Sequence, residues 1–144
     1  MQGAIYLATI LCLVIVAYID YKQKIIPDRT NITVALLGTL NLMLNIENCK
    51  MYIASSAITF AVFLFLAVLT DGGIGGGDIK LFTALGLIFG VEIMLIIAVT
   101  FVLAATLSIS RVFLKRINMK ESMALAPYIC AASILIILKN LLII

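Results

Sequence analysis

The chain has 144 residues, 65% of them hydrophobic and 12% charged, with a formal charge of +3. A soluble domain carries about 25% charged residues, so this balance excludes a water-soluble core protein, a disordered chain, a coiled coil and a collagen-like fibre. It leaves an all-α integral membrane protein of one domain, residues 1–144, and the absence of His excludes imidazole catalysis and His-based metal sites.

Apolar runs at residues 3–19, 32–46, 51–69, 79–90, 91–110 and 122–144 predict a polytopic fold of about six transmembrane helices. The first run has no basic lead-in, and Asp20-Tyr21-Lys22 after it is no small-residue cleavage site, so it reads as a retained span rather than a secretory signal. Pro27 stops helix continuation in the loop that follows, and Asn31 is expected to cap the second span. Within that span Asn41 and Asn45, four residues apart, are expected to hydrogen-bond between helices. The second and fourth runs are short for a bilayer and adjoin the two most polar loops, so they are expected to border a watery entrance. Residues 111–120 alternate basic and apolar side chains and fit a surface helix on anionic lipid. Cys12, Cys49 and Cys130 form no C-x-x-C pair and predict neither a metal site nor a disulfide framework.

The basic residues divide the loops. Lys22, Lys24, Arg29, Lys80, Arg111, Lys115, Arg116 and Lys120 follow the first, third and fifth spans, while Lys50 and Lys139 fall on the other side. The positive-inside rule then places the first set in the cytoplasm and both termini outside. The positive charge therefore reflects topology, and no nucleic-acid partner is expected.

Acidic residues near a bilayer are costly, so each needs a reason. Glu47, Glu92 and Glu121 read as solvated loop charges. Asp20 and Asp78 differ. Asp20 ends the first apolar run, and Asp78 stands at the start of the fourth, after a segment with five glycines in six residues, on the same predicted side. Two carboxylates brought a few ångströms apart tend to share one proton. The ionised member can then activate water while the protonated one polarises a peptide carbonyl, which is aspartyl-protease chemistry without metal or histidine. Two structural readings compete: a tight glycine turn and carboxylates that merely cap helices. The segment lacks the Gly-Lys-Ser/Thr ending of a phosphate-binding loop, and Asp78 would repel a phosphate.

Gly75-Gly76-Gly77-Asp78-Ile79-Lys80-Leu81 resembles the G-x-G-D-x-K-L motif of the type IV prepilin peptidases. Asp20 followed by Ile26-Pro27-Asp28 resembles that family's other motif, and Ala126-Pro127-Tyr128 is a weaker third match. The resemblance implies that Asp20 and Asp78 are the catalytic pair. It makes Gly75, Gly76 and Gly77 the backbone bed beside Asp78, with Gly75 and Gly77 lending it freedom. Lys80 is then a headgroup anchor or a plain cytoplasmic lysine, and Pro27 with Asp28 form a structural turn. Asp71 has no counterpart and is expected to be an accessory contact for a basic leader.

On this resemblance the chain is expected to be a membrane aspartic endopeptidase of the prepilin or preflagellin type. It would remove a short basic leader from pilin-like precursors at the cytoplasmic membrane face, with no cofactor and no metal. Many bacterial members carry an extra cytoplasmic domain with paired C-x-x-C motifs. The chain opens on its first span instead, so methyl transfer and a bound methyl donor are not expected. The expected partners are the precursor and the lipid bilayer; no oligomeric state is read. The alternative from another class is a small ion-coupled transporter using Asp20 and Asp78 as an ion-binding pair.

Overall fold

The computed structural model describes residues 2–113 and 124–143. They form six helices: α1 (Gln2–Gln23), α2 (Asp28–Leu44), α3 (Cys49–Leu69), α4 (Gly76–Phe89), α5 (Ile93–Phe113) and α6 (Ala126–Ile143). No strand occurs among the described residues, and two single 3-10 turns, Ile46–Asn48 and Gly90–Glu92, join α2 to α3 and α4 to α5. The fold is all-α, as expected. Residues 114–123 lie outside the described set, and with them most of the basic stretch 111–120 as well as Glu121.

Each helix covers most of its apolar run; α1 to α4 start earlier than hydropathy alone marks, and α5 and α6 start later. Helix α2 opens on Asp28-Arg29-Thr30-Asn31 and α4 on Gly76-Gly77-Asp78. Acids in a first turn are favoured by the helix dipole, so polar residues lengthen these helices without adding apolar signal. Pro27 stands directly before α2 with φ −65 and ψ 137. Asn31 therefore does not cap α2 as expected. It lies inside the first turn, and its amide reaches another helix instead.

Helix α4 is the core of the bundle. Ile79, Leu81, Phe82, Ala84, Leu85, Gly86, Ile88 and Phe89 are all buried, between α2 on one side and α3 on the other. Helix α6 packs between α1 and α5. Close approach depends on small residues. A Cβ on Gly86 would stand 2.8 Å from the Ser56 Cα of α3, and one on Gly38 would stand 2.7 Å from the Leu87 Cβ of α4. Ser56 Oγ donates to Thr83 O at 2.8 Å across the same α3–α4 contact. Phe63 of α3 stacks on both Phe82 and Phe101, with centroids at 4.6 and 6.1 Å. Phe82 and Phe101 are thus level with each other, and α4 and α5 form a hairpin. The bend is at Gly90, whose φ of +56 combined with ψ of −130 is open to glycine and not to other residues.

Large apolar side chains point outward all round the bundle, among them Leu11, Phe65, Val102 and Leu135. Contiguous apolar exposure on this scale marks a lipid-facing surface. The stretches Gln2–Gln23, Ile46–Leu69 and Gly76–Ser110 are long and apolar enough to cross a membrane. Helix α2 has 17 residues and α4 only 14. At about 1.5 Å per residue α4 spans roughly 21 Å, against a hydrocarbon core of about 30 Å. Its early end is satisfied from α2: Asn41 Nδ2 donates to Leu87 O at 3.1 Å and Ile88 O at 3.2 Å. Asn45 completes the chain, donating to Asn41 Oδ1 at 3.0 Å and accepting from Gln2 Nε2 at 2.7 Å. The interhelical role expected of these two asparagines is what they perform. Glu92 departs from its expected place in a solvated loop. It is half-buried, and its Oε2 accepts from Asn140 Nδ2 of α6 at 2.7 Å.

Candidate active site

The bundle has two ends, and the motif residues share one of them. Asp20 lies in the last turn of α1, Asp28 opens α2, Asp78 is in the first turn of α4, and Ala126 opens α6. The opposite end holds the Gln2–Asn45 and Glu92–Asn140 bonds.

Asp20 is buried, with 5% of its surface exposed. Its Oδ2 accepts from the backbone N–H of Ala126 at 2.9 Å. That N–H belongs to the first residue of α6 and has no partner within its own helix, so the carboxylate satisfies an orphan donor. Pro127 brings no N–H at the next position, and the Tyr128 N–H is spent on Leu125 O at 3.0 Å. The helix start thus offers Asp20 a single donor. The chain after Asp20 turns away at Lys24, where φ is +54 and the N–H donates to Asp20 O at 2.8 Å.

Asp78 is half-buried and close enough to Asp20 for the two charges to repel. No described residue donates a hydrogen bond to its carboxylate, in contrast to Asp20. The side chain folds back toward the residue before its helix: a Cβ on Gly75 would stand 3.1 Å from Asp78 Oδ2. Substitution of Gly75 therefore crowds the carboxylate directly.

The three glycines before Asp78 act by close approach and open space rather than by the backbone freedom expected of Gly75 and Gly77. None of them has a positive φ; Gly75 is extended at φ −65, and Gly77 is already helical. A Cβ on Gly77 would meet the Ile26 Cβ at 3.0 Å, while one on Gly76 would meet nothing within 4 Å. Positive φ occurs earlier in the turn, at Asp71 (+48) and Gly72 (+82). Asp71 itself is exposed.

The remaining motif residues brace this turn. Lys80 Nζ pairs with Asp28 Oδ1 at 2.7 Å, with both side chains largely exposed. The ion pair joins the start of α2 to that of α4, so Lys80, expected as a headgroup anchor or a plain cytoplasmic lysine, binds protein here. Pro27 sets the start of α2, and its carbonyl accepts from the Thr30 hydroxyl at 2.7 Å. Asn31 Nδ2 donates to Gly77 O at 3.3 Å. Asp20 and Asp78 have thus been brought together with Gly75, Gly77, Pro27, Asp28 and Lys80 around them. The Ala126 N–H, a partner of Asp20 that no side chain announces, is signalled in the sequence only by the match at Ala126-Pro127-Tyr128.

An apolar groove of about 460 Å³, lined by Ala4, Ile5, Leu40, Met43 and Leu44, lies at the opposite end. It carries no polar side chain and offers no chemistry.

Residues 7–110, which include both Asp20 and Asp78, match the Type IV leader peptidase family. The chain is 33% identical over 126 residues to a prepilin leader peptidase/N-methyltransferase of Bacillus subtilis, covering 85% of this chain and 50% of that protein. It is 35% identical over 89 residues to prepilin peptidase EppA of Methanococcus maripaludis, covering 61% of this chain and 24% of that protein. A prepilin peptidase EppA of Methanocaldococcus jannaschii is 33% identical over 88 residues, with 60% and 24% covered. The chain thus spans half the length of the bacterial relative and about a quarter of the archaeal ones. No solved structure matches it.

Proposed function

We propose that this chain, which belongs to the Type IV leader peptidase family, is a multi-pass membrane aspartic endopeptidase. It removes the basic leader from pilin-like precursors, using Asp20 and Asp78 at the cytoplasmic face. The observation that carries the reading is that two carboxylates, from α1 and α4, lie near enough to repel each other at one end of a largely apolar bundle. Relatives named as prepilin peptidases support the choice of substrate.

The residues divide the work as follows. Repulsion between neighbouring carboxylates favours one proton shared by the pair. The ionised member removes a proton from water, whose oxygen attacks the scissile carbonyl carbon while the protonated member donates to the carbonyl oxygen. Collapse of the tetrahedral species breaks the C–N bond, and the leaving amine takes a proton from the pair. Because the pair titrates as a unit, neither residue is assigned as sole base. Acid and base both come from the chain, so the reading calls for neither metal nor cofactor.

Hydrolysis needs an extended strand, since a helical substrate hides its carbonyls in backbone bonds. The open space over Gly76 is where such a strand fits beside Asp78. The apolar segment that follows the cut then lies in lipid against the outward-facing side chains of the bundle.

The test is co-expression with a pilin-like precursor from the same genome, comparing wild type, Asp20→Asn and Asp78→Asn by mass and gel mobility of the precursor. Asparagine keeps an oxygen that accepts from Ala126, so Asp20→Asn retains the α1–α6 contact and removes only the ionisable group. Both variants are expected to reach the membrane at wild-type levels and to lose cleavage. Cleavage by either one would overturn the paired mechanism. Failure of wild type on every precursor would favour an ion-coupled carrier, although its carboxylates would be expected nearer the membrane midplane.

A further inference from the structure

Two asparagines of α2 reach across to backbone carbonyls of α4 in the same register, Asn31 to Gly77 and Asn41 to Leu87. Both are buried, at 5% and 0% exposure. Asn41 is fully satisfied: its Nδ2 donates to Leu87 O and Ile88 O, and its Oδ1 accepts from Asn45 Nδ2. The Asn31 side chain makes one bond, and its Oδ1 is buried without a hydrogen-bond partner among the described residues. Exchanging the amide's two ends does not remove this orphan. The Gly77 carbonyl accepts only, so the NH₂ must face it.

A buried amide with an orphaned oxygen lowers stability relative to an apolar side chain of similar shape. Burial of this kind in a native fold calls for an explanation other than stability. The one side-chain hydrogen bond of Asn31 falls on the residue directly before Asp78. Gly77 has no side chain with which to seat itself, and its other close neighbour is Ile26, at 3.0 Å from where a Cβ would stand. The Asp78 carboxylate, with no donor of its own among the described residues, takes its place from this turn.

We propose that Asn31 is a positioning residue for the Asp78 carboxylate, acting through the Gly77 carbonyl. The proposal rests on the reading of Asp78 as a catalytic group. Asn41, satisfied at the far end of the same helix pair, provides the structural counterpart.

The experiment compares purified wild type, Asn31→Leu, Asn41→Leu and Asp78→Asn in detergent. It measures the thermal unfolding midpoint together with kcat and KM on a pilin-like precursor. Asn31→Leu is expected to unfold at or above the wild-type midpoint and to keep KM within about twofold. Its kcat is expected to fall by at least about tenfold, since a 1 Å misplacement of reacting groups costs up to about 100-fold. Asn41→Leu is expected to lower the midpoint. If Asn31→Leu fails to fold, or loses stability as Asn41→Leu does, Asn31 is structural and the proposal is overturned. Wild-type kcat in Asn31→Leu, with Asp78→Asn inactive, overturns the positioning role alone. Cleavage by Asp78→Asn overturns the reading of Asp78 and the positioning role with it.

Discussion

Asp20 is tied to a backbone donor far along the sequence, and the Asp78 carboxylate has no donor among the described residues. That asymmetry makes the Ala126 N–H a handle on the site. Proline is well tolerated at the first position of a helix and lacks the N–H, so Ala126→Pro deletes one hydrogen bond. We expect helix content by circular dichroism to stay at wild type and kcat to drop by about tenfold, consistent with a charge-assisted bond of about 1.5–3 kcal/mol. Unchanged kcat would show that Asp20 is held by its burial alone. Gly76 tests the other side of the site. A side chain there enters open space, so Gly76→Leu is expected to fold normally and raise KM for the precursor several-fold through occlusion. At this scale, what is legible is what is costly in an apolar chain. Carboxylates at helix ends stand out, and Asp20 and Asp78 were legible for that reason. The Ala126 N–H was not, because a backbone donor has no side-chain signature. Asn31 reads as a cap because Asn is a good capping residue, and the α2–α4 register that redirects it is a tertiary fact.

Among the elements, α4 decides how tightly the bundle closes. Gly86 faces the backbone of Ser56 at a distance no side chain accommodates without moving α3. Gly86→Ala is therefore expected to destabilise by about 1–3 kcal/mol, read as a lowered unfolding midpoint in detergent. The Lys80–Asp28 pair should behave oppositely despite its 2.7 Å length. Both partners are largely exposed, and exposed ion pairs contribute about 0–1 kcal/mol. Lys80→Met should thus leave the midpoint nearly unchanged, and a large loss would mean that the pair is shielded from water in the membrane. All six helices were legible as apolar runs, because a bilayer demands long stretches without charge. The starts of α2 and α4 were not, since their first turns are polar, with Asp28 and Asp78 favoured there by the helix dipole. The shortness of α2 and α4 was visible in the sequence. Its structural companion, an asparagine closing the carbonyl end of α4, required knowing which helices are neighbours.

For the molecule as a whole, the shared register of Asn31 with Gly77 and Asn41 with Leu87 makes α2 and α4 parallel. Parallel α2 and α4, with α3 returning between them and α1 leading into α2, put the Asp20 and Asp78 loops at one end. Lys22, Lys24, Arg29 and Lys80 are placed there, while Lys50 and Lys139 lie toward the other end. This is the asymmetry from which the cytoplasmic orientation was read, and the orientation carries the substrate argument. A basic leader that stays in the cytoplasm reaches the carboxylates only if their end faces inward. Two exposed isoleucines mark the ends: Ile25 lies between α1 and α2, 66% exposed, and Ile46 between α2 and α3, 73% exposed. With Cys12, Cys49 and Cys130 replaced by Ser, a membrane-impermeant maleimide on intact cells is expected to label Ile46→Cys and leave Ile25→Cys unlabelled until the cells are opened. The reverse pattern would place Asp20 and Asp78 on the outer face. A leader held in the cytoplasm would then never meet them, and the peptidase reading would need a substrate presented from outside.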